Sequence, residues 1–145
     1  MIEHSELCSL IPHSFDMCLL DRVDSWDDNN IVCYSSSHLL NTNPLRRGEN
    51  LSSIHLLEYA AQAMAVHGGL HDREQGRQMT EGYLAALRDV KIELYEINSL
   101  ESELRIEANK ILSQAGNMIY TFSVSLDKNV LASGRAIVVA VSHNK

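Results

Sequence analysis

Apolar and polar positions divide the 145-residue chain into one helical stretch and several stretches of alternating character. The helical stretch opens at Leu51-Ser52-Ser53, where a serine can cap the free N–H groups of a helix start. It runs on from Ile54 to Val66, rich in Ala and Leu, and Gly68-Gly69 is expected to close it. Apolar residues occupy almost its whole circumference, which marks a buried helix rather than a surface one. The alanines from Ala60 onward, with Gly68, leave room for another element to wrap closely around it.

The alternating stretches read as strands. Val23–Trp26 and Ile31–Tyr34 flank the turn cluster Asp27-Asp28-Asn29-Asn30 and predict an antiparallel pair. Tyr83–Leu87 leads into Val90–Leu94. Leu104, Ile106 and Ala108 alternate with Arg105, Glu107 and Asn109, and Met118 to Leu126 repeat the pattern. Asp127-Lys128-Asn129 signals a hairpin before the nearly continuous apolar run Ala136–Val141. The fold class expected is α+β, with an antiparallel sheet of about five or six strands wrapped around one long central helix. A single helix leaves a sheet edge unprotected, and pairing with a second copy would cover it.

Composition narrows the function. With 45% hydrophobic and 21% charged residues the chain suits one globular domain over 1–145, its core spanning about 7–141. A formal charge of −7 without a basic run argues against nucleic acid. No apolar leader opens the sequence, and no apolar run approaches the ~20 residues a bilayer requires, so no membrane insertion is expected. Cys8, Cys18 and Cys33 are an odd count without metal-ligand spacing. They are expected as reduced, mostly buried thiols of a cytoplasmic protein, with no metal and no cofactor.

Glu58 is the residue that does not fit its helix. An unpaired carboxylate is costly to bury, and apolar flanks favour the neutral carboxyl that acid–base catalysis uses. Gln62, at i+4, shares its face. The bland alternative is a carboxyl that merely accepts structural hydrogen bonds. His55, one turn before Glu58, lacks the further ligands a metal would need. His67 and His71, around the two glycines, are expected to meet solvent at the helix end. His13 follows Pro12 in the entry segment Leu10–His13, a short helical or turn entry. No Gly-x-Ser-x-Gly elbow, phosphate loop or dinucleotide fingerprint is present.

Two stretches carry a resemblance. Leu10-Ile11-Pro12-His13 with Leu19-Leu20-Asp21-Arg22-Val23 resembles the N-terminal signature of bacterial (3R)-hydroxyacyl-[acyl-carrier-protein] dehydratases. Glu58-Tyr59-Ala60-Ala61-Gln62-Ala63 is similar to the helix motif Glu-x-x-Ala-Gln-Ala of that family. The nearest subgroup is the dehydratase-like subunits of aryl polyene and related fatty-acid-like pathways. The resemblance implies a hot-dog fold, with Glu58 as the helix carboxyl and Gln62 as its supporting amide. It also implies that the backbone N–H groups of Ser53 and Ile54 polarise a thioester carbonyl, as a helix start suits developing negative charge. His13 matches a histidine near the family's active site.

The departure matters as much. The catalytic histidine of such dehydratases lies in a Gly-His-Phe-Pro loop, and counting back from Glu58 places Pro44 there. His13 could take the role, Glu58 could serve a different reaction, or a partner hot-dog chain could supply the histidine across a dimer. The last is favoured. The expected function is a dehydratase or dehydratase subunit for 3-hydroxyacyl thioesters on acyl-carrier protein or coenzyme A, working as a homodimer or as a heterodimer with another hot-dog dehydratase. Alternatives are an acyl thioesterase using Glu58 and a non-catalytic acyl-binding or scaffolding subunit. Carrier proteins are acidic, so docking needs a local positive spot. Arg46 and Arg47 are the candidates, with Arg73 and Arg77 behind them.

Overall fold

A computed structural model describes residues 1–11, 17–76 and 81–141. Its elements in chain order are β1 (Ile2–Glu3), α1 (His4–Cys8), β2 (Arg22–Trp26), β3 (Asn30–Ser35), α2 (Leu56–Glu74), β4 (Glu81–Ile92), β5 (Leu104–Gln114), β6 (Asn117–Leu126) and β7 (Asn129–Val141). The strands form one antiparallel sheet in the order β1-β2-β3-β5-β6-β7-β4. The turns behave as their residues dictate. Asp27 closes the β2–β3 turn by accepting the N–H groups of Asn29 and Asn30 at 2.9 and 2.8 Å. Asp127 and Lys128 take the left-handed backbone that a tight two-residue hairpin between β6 and β7 demands.

The sheet packs α2 along its length. Leu56, Tyr59, Ala60, Ala63, Val66 and Leu70 are buried from the helix. Ile31, Cys33, Leu104, Ile106, Ala108, Tyr120, Phe122, Val124, Ala132 and Ala136 meet them from alternate positions of the strands. Gly134 of β7 is demanded by packing, since a Cβ there would lie 2.9 Å from the ring of Phe122. In hot-dog terms, the long helix is the filling and the sheet the wrap.

Five details depart from the expectation. First, α2 does not stop at Gly68-Gly69 but continues to Glu74. Gly69 is instead a packing residue, with space for a Cβ only 3.3 Å from Leu10 Cδ2. Second, Tyr83–Leu87 and Val90–Ile92 belong to the single strand β4, which ends before Glu93 and Leu94 and carries a register shift between Arg88 and Lys91 where Asp89 adopts φ 55°. Third, an unexpected helix, α1, precedes the entry segment; Leu10 and Ile11 themselves lie in turns onto Leu7 and Cys8, as a turn entry would have them, and Pro12 and His13 lie outside the described residues.

Fourth, Cys8 and Cys18 are not reduced thiols: they form a disulfide with Cα atoms 5.7 Å apart. The fold causes this, because α1 is laid against the segment entering β2 and brings together cysteines ten positions apart. Cys33 is the buried free thiol, and burial pushes its pKa up to about 12. Fifth, His67 does not reach solvent. It is fully buried, because α2 continues past the glycines and packs it against Tyr120 and the Asp27 carbonyl.

β4 is the sheet's exposed margin. It pairs with β7 alone among the described residues, and Leu84, Leu87 and Val90 stand exposed on it. A twelve-residue edge strand carrying apolar side chains is a surface that invites another strand.

Candidate active site

The start of α2 is stitched down before the helix proper begins. Ser53 donates its N–H to the Tyr95 carbonyl at 2.7 Å and its hydroxyl to the Glu93 carbonyl at 2.6 Å. Its Oγ also accepts the N–H of Tyr95. Ser52 caps the entry by accepting the Ile54 N–H at 3.3 Å. Of the two backbone donors expected to face a thioester, the one at Ser53 is therefore held within the chain. The one at Ile54 is held only by this long 3.3 Å bond, beside an exposed side chain.

Glu58 follows one turn later. Positions 57, 58, 61, 65, 68 and 72 are half-buried and lie along one side of α2, while the others between 59 and 70 are buried. The carboxyl thus stands on the side of the helix that the core does not absorb. Gln62 is buried beneath it and carries out the supporting role in detail. Its Oε1 accepts the Leu19 N–H at 2.8 Å, and its Nε2 donates to the Met17 carbonyl at 2.7 Å and to Glu58 Oε2 at 3.0 Å. Both ends of the amide are thereby fixed to the strand-entry segment 17–19, and the amide's orientation fixes one carboxyl oxygen. Sequence spacing placed Glu58 and Gln62 on one face; the partners at Met17 and Leu19 lie more than forty positions away.

Around this pair runs a buried hydroxyl network that the sequence did not reveal. Ser35 and Ser37 both donate to the Leu19 carbonyl, Tyr59 bonds Ser37 at 2.8 Å, and Asn43 donates to Tyr59 at 3.1 Å. Burial raises the Tyr59 pKa, so its hydroxyl is a donor. Asn43 also donates to the Ser37 carbonyl and accepts the Leu45 N–H. The loop in which the family's histidine is expected is thus anchored to α2, while its residue at that place is the exposed Pro44. The signal was the polar cluster Ser35-Ser36-Ser37 with Asn43, which alone does not distinguish a network from a solvated loop.

The described histidines divide. His38 donates from Nε2 to the Leu100 carbonyl at 2.7 Å, and His67 from Nε2 to the Asp27 carbonyl at 2.7 Å. Desolvation lowers both pKa values, which keeps the rings neutral. His67 Nδ1 accepts the Tyr120 hydroxyl at 2.7 Å. His55 is half-buried at the helix entry. His13 lies outside the described residues, as does Arg77. Among the docking candidates, Arg47 is exposed, whereas Arg46 is half-buried with its guanidinium turned to the His38 carbonyl. Arg73 is paired with Glu6 at 2.9 Å.

A family model described as ApeP-like, ApeP dehydratase, matches residues 5–144. The chain belongs to this family. A chain of the dehydratase heterocomplex ApeI:P from Xenorhabdus doucetiae is 24% identical, with a TM-score of 0.84 over 94% of this chain and 91% of that one. The conserved protein PA5202 from Pseudomonas aeruginosa is 10% identical, with a TM-score of 0.65 over 92% and 98%. A hypothetical thioesterase with coenzyme A from Streptococcus pneumoniae TIGR4 is 9% identical, with a TM-score of 0.60 over 86% and 88%. At these identities the likeness establishes the hot-dog fold. No curated protein matches the sequence. No described helix is long and apolar enough to cross a membrane.

Proposed function

We propose that this chain is the acid-bearing subunit of a dehydratase acting on 3-hydroxyacyl thioesters in polyene-type biosynthesis, paired with a second hot-dog chain. The observation that carries this reading is the Gln62 clamp: a buried amide tied at both ends to backbone and presenting an N–H to Glu58 Oε2. A purely structural carboxyl at a half-buried position needs no such support. In this reading Gln62 fixes Oε2, and Glu58 delivers its proton to the β-hydroxyl of the substrate.

In the reaction a histidine of the partner removes the α-proton, the Cα–Cβ double bond forms, and the Cβ–O bond breaks as Glu58 protonates the departing oxygen. Water and a 2-enoyl thioester result. Membership in the ApeP-like family and the loop with Pro44 at the histidine's place both support a base from outside the chain. His67 is unsuited to it, since both its ring nitrogens are bonded inside the fold, and His38 is fully buried. The exposed margin of β4 is the surface on which the partner would pair. Exposed Arg47 is the better placed docking contact for an acidic carrier protein, and Ile54 N–H the better placed donor to the thioester carbonyl.

The test is enzymatic. The chain is purified from its own cell, any second hot-dog protein that accompanies it is identified, and the complex is assayed for 2-enoyl thioester formation. Glu58→Gln should lower the rate at least about 100-fold with the complex intact, and an unchanged rate would refute the acid role. Thiol release by the chain alone, lost in Glu58→Ala, would favour the thioesterase reading instead.

A further inference from the structure

The buried hydroxyl network ends on a residue that grips the amide of the candidate site. Leu19 uses both of its backbone groups. Its N–H bonds Gln62 Oε1 at 2.8 Å, and its carbonyl accepts the Ser37 hydroxyl at 2.7 Å and the Ser35 hydroxyl beside it. Ser37 Oγ in turn lies 2.8 Å from the Tyr59 hydroxyl, and Asn43 Nδ2 donates to Tyr59 at 3.1 Å. All five residues are buried.

The direction of each bond is fixed by what the groups can do. Asn43 Oδ1 accepts the Leu45 N–H, so the other end of that amide is the NH2, which can only donate. A carbonyl can only accept, so the single hydrogen of Ser37 goes to Leu19. The single hydrogen of Tyr59 is left for Ser37 Oγ, and burial keeps that phenol protonated.

We propose that Tyr59 is a positioning residue for dehydration: through Ser37 its hydroxyl sets where Leu19 lies, and through Leu19 it sets the Gln62 amide that holds Glu58. The proposal rests on the dehydratase reading for its kinetic consequence alone. Tyr59 follows Glu58 in sequence but projects about 100° away around the helix, into the core, so it acts through other residues. The N–H and carbonyl of Leu19 belong to neighbouring peptide units, so the coupling is one of position rather than of polarisation. A phenylalanine at 59 would fill the same space with no polar group to bury, so packing alone does not call for the hydroxyl. Asn43 and Leu45 stand on either side of Pro44, and the same chain of bonds therefore ties that loop to the support of the carboxyl.

The experiment compares wild type with Tyr59→Phe, Ser37→Ala and the two combined, as full chains and then in complex with the partner that co-purifies. Hydrogen exchange is followed by NMR at the Gln62 side-chain amide, the Leu19 N–H and the Ile106 N–H, the last reporting global opening from mid-sheet. In Tyr59→Phe the Gln62 and Leu19 signals should exchange about fivefold faster relative to Ile106. In the complex kcat should fall about three- to tenfold with KM nearly unchanged. Ser37→Ala cuts the same chain one link further on, so it should reproduce these effects, and the double variant should lose no more than either single one. A role confined to stability would speed exchange at all three sites together and leave the kcat of folded enzyme as it was. That result overturns the proposal, as does additivity of the two substitutions. If the wild-type complex forms no 2-enoyl thioester, the dehydratase reading falls, and the exchange measurement still decides whether Tyr59 acts on Gln62.

Discussion

The two halves of α2 each carry a polar group that its apolar surroundings do not invite, and they resolve the problem differently. In the N-terminal half Gln62 is buried and fully bonded, but it passes one N–H outward to a half-buried carboxyl. About a turn and a half further on, His67 is sealed between the Tyr120 hydroxyl, the Asp27 carbonyl and the ring of Trp26. Every bond of the second cluster ends inside the fold. A polar residue on a buried helix therefore says little until its partners and its exposure are known: the first set reaches a half-buried carboxyl, the second is closed within the core.

Substitution separates the two halves. The largest effect expected is the loss of dehydration in Glu58→Gln, about 100-fold or more, with the melting temperature near that of wild type. In the other half His67→Phe should leave the Tyr120 hydroxyl and the Asp27 carbonyl without partners and cost about 2–4 kcal/mol in urea unfolding. The activity of the remaining folded protein should be unchanged. If His67→Phe instead cut turnover while sparing stability, the division between a working half and a sealed one would fail.

Gln62→Leu sharpens the same contrast because it should move both readouts. Burying the Leu19 N–H and Met17 carbonyl unsatisfied should cost about 2–3 kcal/mol. The rate per folded molecule should also drop, about tenfold, since the carboxyl loses its positioning donor. A variant that loses stability alone would demote Gln62 to a core residue.

The sealed half also sets a pH dependence. His67 and His38 have folded pKa values below the ~6.5 of an unfolded histidine, chiefly through desolvation. The unfolded chain therefore binds more protons as pH falls below about 6.5, and stability contributed by the neutral rings is present above that pH and lost beneath it. The urea midpoint should decline from pH 7.5 to 5.5, and His67→Gln should flatten that decline. An equal slope in the variant would assign the acid sensitivity elsewhere.

What the chain disclosed of itself follows the range of each signal. Alternation in β5 and β6, the hairpin at Asp127-Lys128 and the Glu58–Gln62 spacing are local, and all could be read directly. The seventh strand is the two-residue β1, too short to carry a pattern. Disulfide pairing depends on how α1 is laid against the segment before β2, and His67's burial depends on Tyr120 and Asp27, so neither is local. Gly68-Gly69 misled for a related reason: a glycine pair stops a helix in isolation, yet the same residue type serves where another chain segment comes close. The Ser35–Ser37–Tyr59–Asn43 network is likewise assembled from three separate segments.

Those glycines give the smallest and most discriminating test, because they lie in the sealed half and differ only in what surrounds them. A Cβ on Gly68 meets nothing within 4 Å, whereas one on Gly69 would press on Leu10 at 3.3 Å. Mid-helix glycine costs about 0.8–1 kcal/mol relative to alanine, so Gly68→Ala should stabilise the isolated chain by up to that amount. Gly69→Ala should return less, since Leu10 must shift to admit the methyl group, and the difference is measured by paired urea curves. Gly68 also lies on the half-buried side of α2 shared with Glu58. If a partner chain covers that side as far as Gly68, the gain seen in the isolated chain should shrink in the complex, and if the partner is confined to β4 it should persist.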